Sequence, residues 1–176
     1  MKQSEIVKKR QGLSYYTAAN PQIRALYRSG KRPTEFGNKV WATSLVLLDY
    51  LDTKPFPLQG LRVLEVGCGW GLLGVYLAKV HACDVTCTDL DEHVLPIVQL
   101  HARLNGVSIK TKRASFSELS SDFLEDFDLI VGAEICYCEE AGRDMTMLVR
   151  RAFASGVKQI LIADPGRPHP GSKGQG

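Results

Sequence analysis

The sequence predicts an α/β fold, a doubly wound parallel sheet flanked by helices, and three stretches predict it. Val63, Leu64 and Val66 make the short apolar run of a buried parallel strand. Gly67, Gly69 and Gly71 follow at once, and apolar residues then switch to helical spacing at Leu72, Leu73, Val75, Tyr76 and Leu77. Strand, glycine turn and helix is the opening unit of a nucleotide-binding α/β domain. The missing Cβ atoms let a ligand approach the backbone, and the helix start offers it unpaired N–H groups. A second strand, residues 84–88, ends at Asp89. A third run, residues 127–133, leads into Glu134-Ile135-Cys136-Tyr137. Strands alternating with helices at this spacing build a parallel sheet.

The chain has 176 residues, 44% of them hydrophobic, which suits one domain with its own core. Residues 1–36 read as a basic N-terminal arm with some helix. Residues 1–40 hold nine basic residues against two acidic ones, +7, while the remainder holds thirteen against seventeen, −4. Such an arm can contact nucleic acid or an acidic protein surface. It lacks the interleaved aromatics of single-strand binders, so a nucleic-acid partner is not expected. Tyr15 and Tyr16 are placed to pack onto the domain, which spans residues 37–168.

Residues 37–44 lead into an amphipathic helix carrying Leu45, Leu48 and Leu51, and Pro55 and Pro57 end it. After Asp89, Asp91 reads as the N-cap of a helix that carries Val94, Leu95, Val98, Leu100 and Leu104 and stops at Asn105-Gly106. Pro96 fits only in its first turn. His93 and His101 read as helix-surface residues. The next strand runs from Val107 to about Arg113 and is followed by Ala114-Ser115-Phe116. A helix through Met145, Leu148 and Ala152 ends at Gly156 and precedes a fifth strand, residues 158–163. Residues 169–176 read as a flexible tail. The five cysteines are odd in number and form no C-x-x-C pair, so neither a disulfide framework nor a zinc site is expected. No run is long or apolar enough to span a bilayer, and Met1 to Glu5 show no signal-peptide apolar region. A cytoplasmic location without membrane contact is expected.

Two ligand classes use such a glycine loop. Gly69, Gly71 and Gly74 satisfy the G-x-G-x-x-G of dinucleotide binders. The longer string Glu65-x-Gly67-x-Gly69-x-Gly71 resembles the first motif of class I, seven-β-strand, S-adenosylmethionine-dependent methyltransferases, which have a Rossmann-like sheet. That resemblance implies S-adenosyl-L-methionine as cofactor, bound around Glu65, Gly67, Gly69 and Gly71. A carboxylate beside the loop suits an ammonium and a sulfonium and opposes a pyrophosphate. Asp89, at a strand tip about twenty residues past the loop, can accept two hydrogen bonds from a ribose diol. Leu90 would lie against the adenine, Ser115 and Phe116 at its edge, and Ala133 beside the crevice at the carboxyl end of the fourth strand.

Glu134-x-x-Tyr137 resembles the D/E-x-x-Y/F motif of the seven-β-strand protein lysine methyltransferases. Val40-Trp41, one helix upstream of the loop, resembles their pre-motif, whose tryptophan segment lines the cofactor pocket. The physical logic stands beside the family. A lysine nucleophile must arrive as a neutral amine, and a carboxylate can orient the ammonium and accept its proton. An aromatic face favours the cationic head and excludes water. Read without the family, Glu134 is an acid favoured by a helix N-terminus and Trp41 a core aromatic. Base-amine methyltransferases of DNA and RNA carry N/D-P-P-Y/F at this place, and the absence of prolines counts against them. Asp164-Pro165-Gly166-Arg167-Pro168 resembles the electron-transfer-flavoprotein β-subunit lysine methyltransferase branch.

The resemblance covers residues 37–168. The seven-stranded family continues with a helix and an antiparallel strand pair, whereas five strands in the order 3-2-1-4-5 are expected here. The sheet thus reads as C-terminally truncated relative to that fold, with an exposed edge for a partner to cover. The expected function is transfer of methyl to a nitrogen, foremost of a protein lysine, with Glu134 and Tyr137 catalytic and no metal. Three other readings stand beside it: a cofactor-binding but inactive partner subunit, a small-molecule N-methyltransferase, and an NAD enzyme that Glu65 opposes.

Overall fold

The computed structural model describes residues 7–53 and 57–166. The expected tail at 169–176, Arg167, Pro168 and Pro55 lie outside the described residues. Five strands, β3 (Arg62–Val66), β4 (Asp84–Asp89), β5 (Lys110–Arg113), β6 (Leu129–Ala133) and β7 (Gln159–Ala163), form one all-parallel sheet. Its order is β5-β4-β3-β6-β7, the expected 3-2-1-4-5. Among the described residues β5 and β7 are its two edges.

Alternation along each strand feeds two cores. Val63, Val131 and Cys87 face α2 (Ala42–Thr53), α3 (Leu72–His81) and α4 (Leu95–Asn105), meeting Leu48, Leu73 and Val98. Leu64, Val66 and Ile130 face the short α5 (Ser121–Leu124) and the long α6 (Glu139–Ala154), meeting Leu124, Met145 and Leu148. Helices on both faces make the fold doubly wound. β5 starts later than the sequence suggests because Val107 belongs to the helix cap. Its N–H returns to the Ala102 carbonyl at 3.0 Å past the left-handed Gly106. No helix among the described residues is long and apolar enough to cross a membrane.

The largest departure lies at the N-terminal end, where some helix and no strand was expected. Helix α1 (Pro21–Arg28), capped by the Asn20 side chain, is there. Before it, β1 (Val7–Arg10) and β2 (Leu13–Tyr16) pair as an antiparallel hairpin. Gln11 and Gly12 turn it with φ of 44° and 76°, the twist that a two-residue hairpin loop requires. Leu13 and Tyr15 are buried in the main core. Asn105 pairs with Ser14 as a strand would, accepting from its N–H at 2.9 Å and donating to its carbonyl at 2.7 Å.

This hairpin corrects the reading of His101 as a surface residue. His101 is fully buried, accepts from the Tyr16 N–H at Nε2 (3.0 Å) and donates from Nδ1 to the Trp70 carbonyl (2.9 Å). Both bonds suit one neutral tautomer, and burial pushes its pKa down to about 4. Helical periodicity placed His101 on an outward face because nothing in that pattern announces a hairpin that covers it.

Candidate active site

A cleft of about 680 Å³ opens at the carboxyl ends of β3, β4 and β6, the place where ligands bind in open α/β sheets. Each wall can be traced to a local cause. After β3 the chain turns through Gly67, at φ 58°, where a Cβ would stand 2.5 Å from the Ile135 methyl. Gly69, at φ 50°, has nothing within 4 Å of a built Cβ and lines the cleft, so its backbone is open to a ligand. Trp70 anchors the loop, its indole N–H donating to the Gly37 carbonyl at 2.9 Å.

Asp89 ends β4 on the cleft wall. It accepts from the N–H of Gly69 at 2.8 Å and of Asp91 at 2.9 Å, and burial raises its pKa against the pull of those bonds. Two donors leave a carboxylate further acceptor capacity for a diol. Asp91 caps the following turn through the His93 N–H (2.9 Å), and also accepts from the Thr34 N–H (2.7 Å). Leu90, exposed by 56%, and Ser115, Phe116 and Ala133 line the same cleft. Ser115 also opens a capping box with Glu118.

Glu65 does not line the cleft. It lies buried behind the loop, accepting from the Gly74 N–H at 2.8 Å and from the Cys87 thiol at 3.3 Å. Burial pushes its pKa up to about 7, against the pull of the Gly74 bond. Gly74 is small for this reason, since a Cβ there would stand 2.7 Å from the Glu65 carboxylate. Its place in the G-x-G-x-x-G pattern thus serves Glu65, which ties β3 to the first turn of α3.

Glu134, Tyr137 and Trp41 also line the cleft. Glu134 leaves β6 with φ 57°, an uncommon conformation for a glutamate, while its N–H still donates to the Ala163 carbonyl of β7 at 2.8 Å. Its carboxylate accepts from the Thr43 hydroxyl of α2 at 2.7 Å. Tyr137, exposed by 49%, stacks on Phe36 at 4.6 Å between centroids. The Trp41 indole N–H donates to the Phe36 carbonyl at 2.7 Å, and Lys39 lies over its ring at 4.0 Å. Thr43, Phe36 and Lys39 carry no motif of their own. Only their nearness in sequence to Trp41 marked the segment.

Residues 23–170 match a family described as lysine methyltransferase. The chain is 36% identical over 110 residues to protein N-lysine methyltransferase METTL21A of Xenopus tropicalis, covering 60% of this chain and 50% of that protein. It is 29% identical over 124 residues to a ubiquinone biosynthesis O-methyltransferase of Roseobacter denitrificans, covering 64% and 49%. The chain therefore spans about half the length of these relatives. Among solved structures it superposes with a TM-score of 0.51 and 19% identity on the tRNA (uracil-54, C5)-methyltransferase of Pyrococcus abyssi in complex with S-adenosyl-L-homocysteine, covering 76% of this chain and 29% of that one. That likeness is one of fold.

The cofactor is S-adenosylmethionine, and the cleft suits it. The open backbone at Gly69, the acceptor at Asp89 and the apolar Leu90 and Phe116 all line the cleft. The volume is that of a small-molecule site. The match runs from within α1 to beyond β7, over most of the chain, and the chain belongs to the lysine methyltransferase family of S-adenosylmethionine-dependent enzymes.

Proposed function

We propose that this protein methylates the ε-amino nitrogen of a lysine in a protein. The observation that carries the reading is the placement of Glu134 and Tyr137 together on the cleft wall, at the end of the strand beside the glycine loop. When bound, the cofactor would supply an electrophilic methyl carbon on a sulfonium, with a neutral thioether as the leaving group. The chain's residues must present the acceptor. A lysine at neutral pH is an ammonium, and its lone pair is blocked. Glu134 binds that ammonium, orients it and takes its proton. The exposed Tyr137 ring offers a face to the cationic head and sheds water around it. Asp89, Gly69, Leu90, Ser115, Phe116, Ala133 and Trp41 serve the cofactor side, and Glu65 supports the loop from behind. The 36% identity to METTL21A favours a protein acceptor. The ubiquinone O-methyltransferase relatives favour a small-molecule acceptor as the second reading.

The experiment uses purified chain and methyl-labelled S-adenosylmethionine with gel-filtered lysate proteins in one arm and the small-molecule filtrate in the other. Label recovered as methyllysine after acid hydrolysis supports the proposal. Label confined to the filtrate overturns it in favour of the second reading, and binding of the cofactor without any transfer assigns the chain as a partner subunit. Glu134→Gln should lower turnover by about 100-fold or more, the usual range for losing a positioned acid–base group, with little change in cofactor affinity.

A further inference from the structure

We infer that Thr43 is a positioning residue for the reaction, its hydroxyl holding the Glu134 carboxylate in the orientation that receives the substrate amine. The inference rests on the role proposed for Glu134. Three constraints meet there. The backbone of Glu134 is left-handed at φ 57°, which turns its side chain out of the sheet. Its N–H is fixed to the Ala163 carbonyl at 2.8 Å, so that turn is anchored to β7. The Thr43 hydroxyl then reaches across from the first turn of α2 and donates to Oε2 at 2.7 Å, ninety-one residues away in sequence.

A glutamate side chain has three torsions, and a hydrogen bond to its carboxylate narrows the rotamers it can sample. A hydrogen bond from a β-branched residue on a helix is a rigid tether, because threonine has few χ1 states there. A hydroxyl donor also fits the chemistry. It gives one hydrogen bond to the carboxylate, carries no charge and so does not compete with an ammonium for the same anion. Lysine or arginine at this position would neutralise the carboxylate and occupy the place meant for substrate. The bond also ties the loop after β6 to the first turn of α2. Preorganisation of this kind is where such transfer reactions gain rate, since misplacement of a reacting group by an ångström is costly.

The experiment compares Thr43→Val, Thr43→Ser and Glu134→Gln, singly and as the Val/Gln double variant. Methyl transfer to gel-filtered lysate protein gives the rate, and titration with S-adenosylhomocysteine gives cofactor affinity. Thr43→Val keeps the shape and loses the donor. It should lower turnover about tenfold, the scale of one hydrogen bond to a charged group, while cofactor affinity holds. Thr43→Ser keeps the donor and should stay within about threefold of the parent, the standard scatter of such contributions. In the Glu134→Gln background, Thr43→Val should add little. A purely structural threonine would give the reverse order, with Ser worse than Val, and that result overturns the inference. If Glu134→Gln lowers turnover and Thr43→Val does not, the inference fails and the Glu134 role survives. If Glu134→Gln leaves turnover unchanged, the Glu134 role itself fails.

Discussion

Replacing Glu65 by glutamine should change how stability depends on pH, and the size follows from burial. The carboxyl titrates near pH 7 in the folded chain against an ordinary value of 4.5. Between those values the native chain holds a proton that the unfolded chain has released. Stability therefore falls as pH rises through that window, by about 1.4 kcal/mol per unit and about 3 kcal/mol in all. His101 works in the opposite sense. Its imidazole titrates near 4 in the folded chain against 6.5 ordinarily. The unfolded chain binds the proton that the native chain refuses, so stability rises with pH through this window by a similar amount. The two slopes oppose each other where the windows overlap, from about pH 4.5 to 6.5. Glutamine copies the shape of the protonated carboxyl and can still accept from the Gly74 N–H, so the variant should match the parent near pH 4.5. By pH 8 it should be more stable by about 3 kcal/mol. Urea unfolding of both proteins, followed by the fluorescence of buried Trp70, measures the difference at each pH. A difference that stays constant from pH 4.5 to 8 would refute the reasoning, because it would mean that Glu65 is ionised throughout.

Three further outcomes follow from the same geometry. Asp89→Ala should weaken S-adenosylmethionine binding by about 1–3 kcal/mol, the scale of charge-assisted hydrogen bonds at a desolvated site, and calorimetric titration reads it. Gly67→Ala and Gly69→Ala should separate folding from binding. Both strain a positive φ, by about 1–2 kcal/mol, but the first also drives a Cβ to 2.5 Å from Ile135, while the second meets nothing in the protein. The first should lose thermal stability heavily; the second should stay folded and lose cofactor affinity, and an unchanged affinity there would show that the ligand keeps clear of Gly69. Leu13→Ala should cost about 2–5 kcal/mol in chemical denaturation, as for a buried leucine in any core.

What the sequence made legible was local. The run from Arg62 to Gly71 names its strand and its turn because period, glycine spacing and apolar content agree. Asp89 and Asp91 could be told apart because one ends a strand and the other opens a helix. Glu134 and Tyr137 were legible as a pair through their family motif, and the cleft receives both. What failed to show depended on contacts far apart in sequence. Glu65 reads as a ligand contact by adjacency to the glycines, yet its partner is the N–H of Gly74, and no pattern says which way a strand residue beside a turn will point. The hairpin strands are four residues each with mixed polarity, too short for alternation to register. Thr43 looks like any threonine at a helix start until the fold brings Glu134 to it.

The region matched to the family begins at residue 23, but the packing does not. Leu13 and Tyr15 belong to the same core as Val63 and Leu73, and His101 reaches from the hairpin to the carbonyl of Trp70 beside the cofactor loop. A protein trimmed to the homologous border would leave the buried imidazole facing water and an uncovered apolar hollow on α4. The hairpin ahead of the matched residues is therefore part of the same packed core as the strands that carry the site.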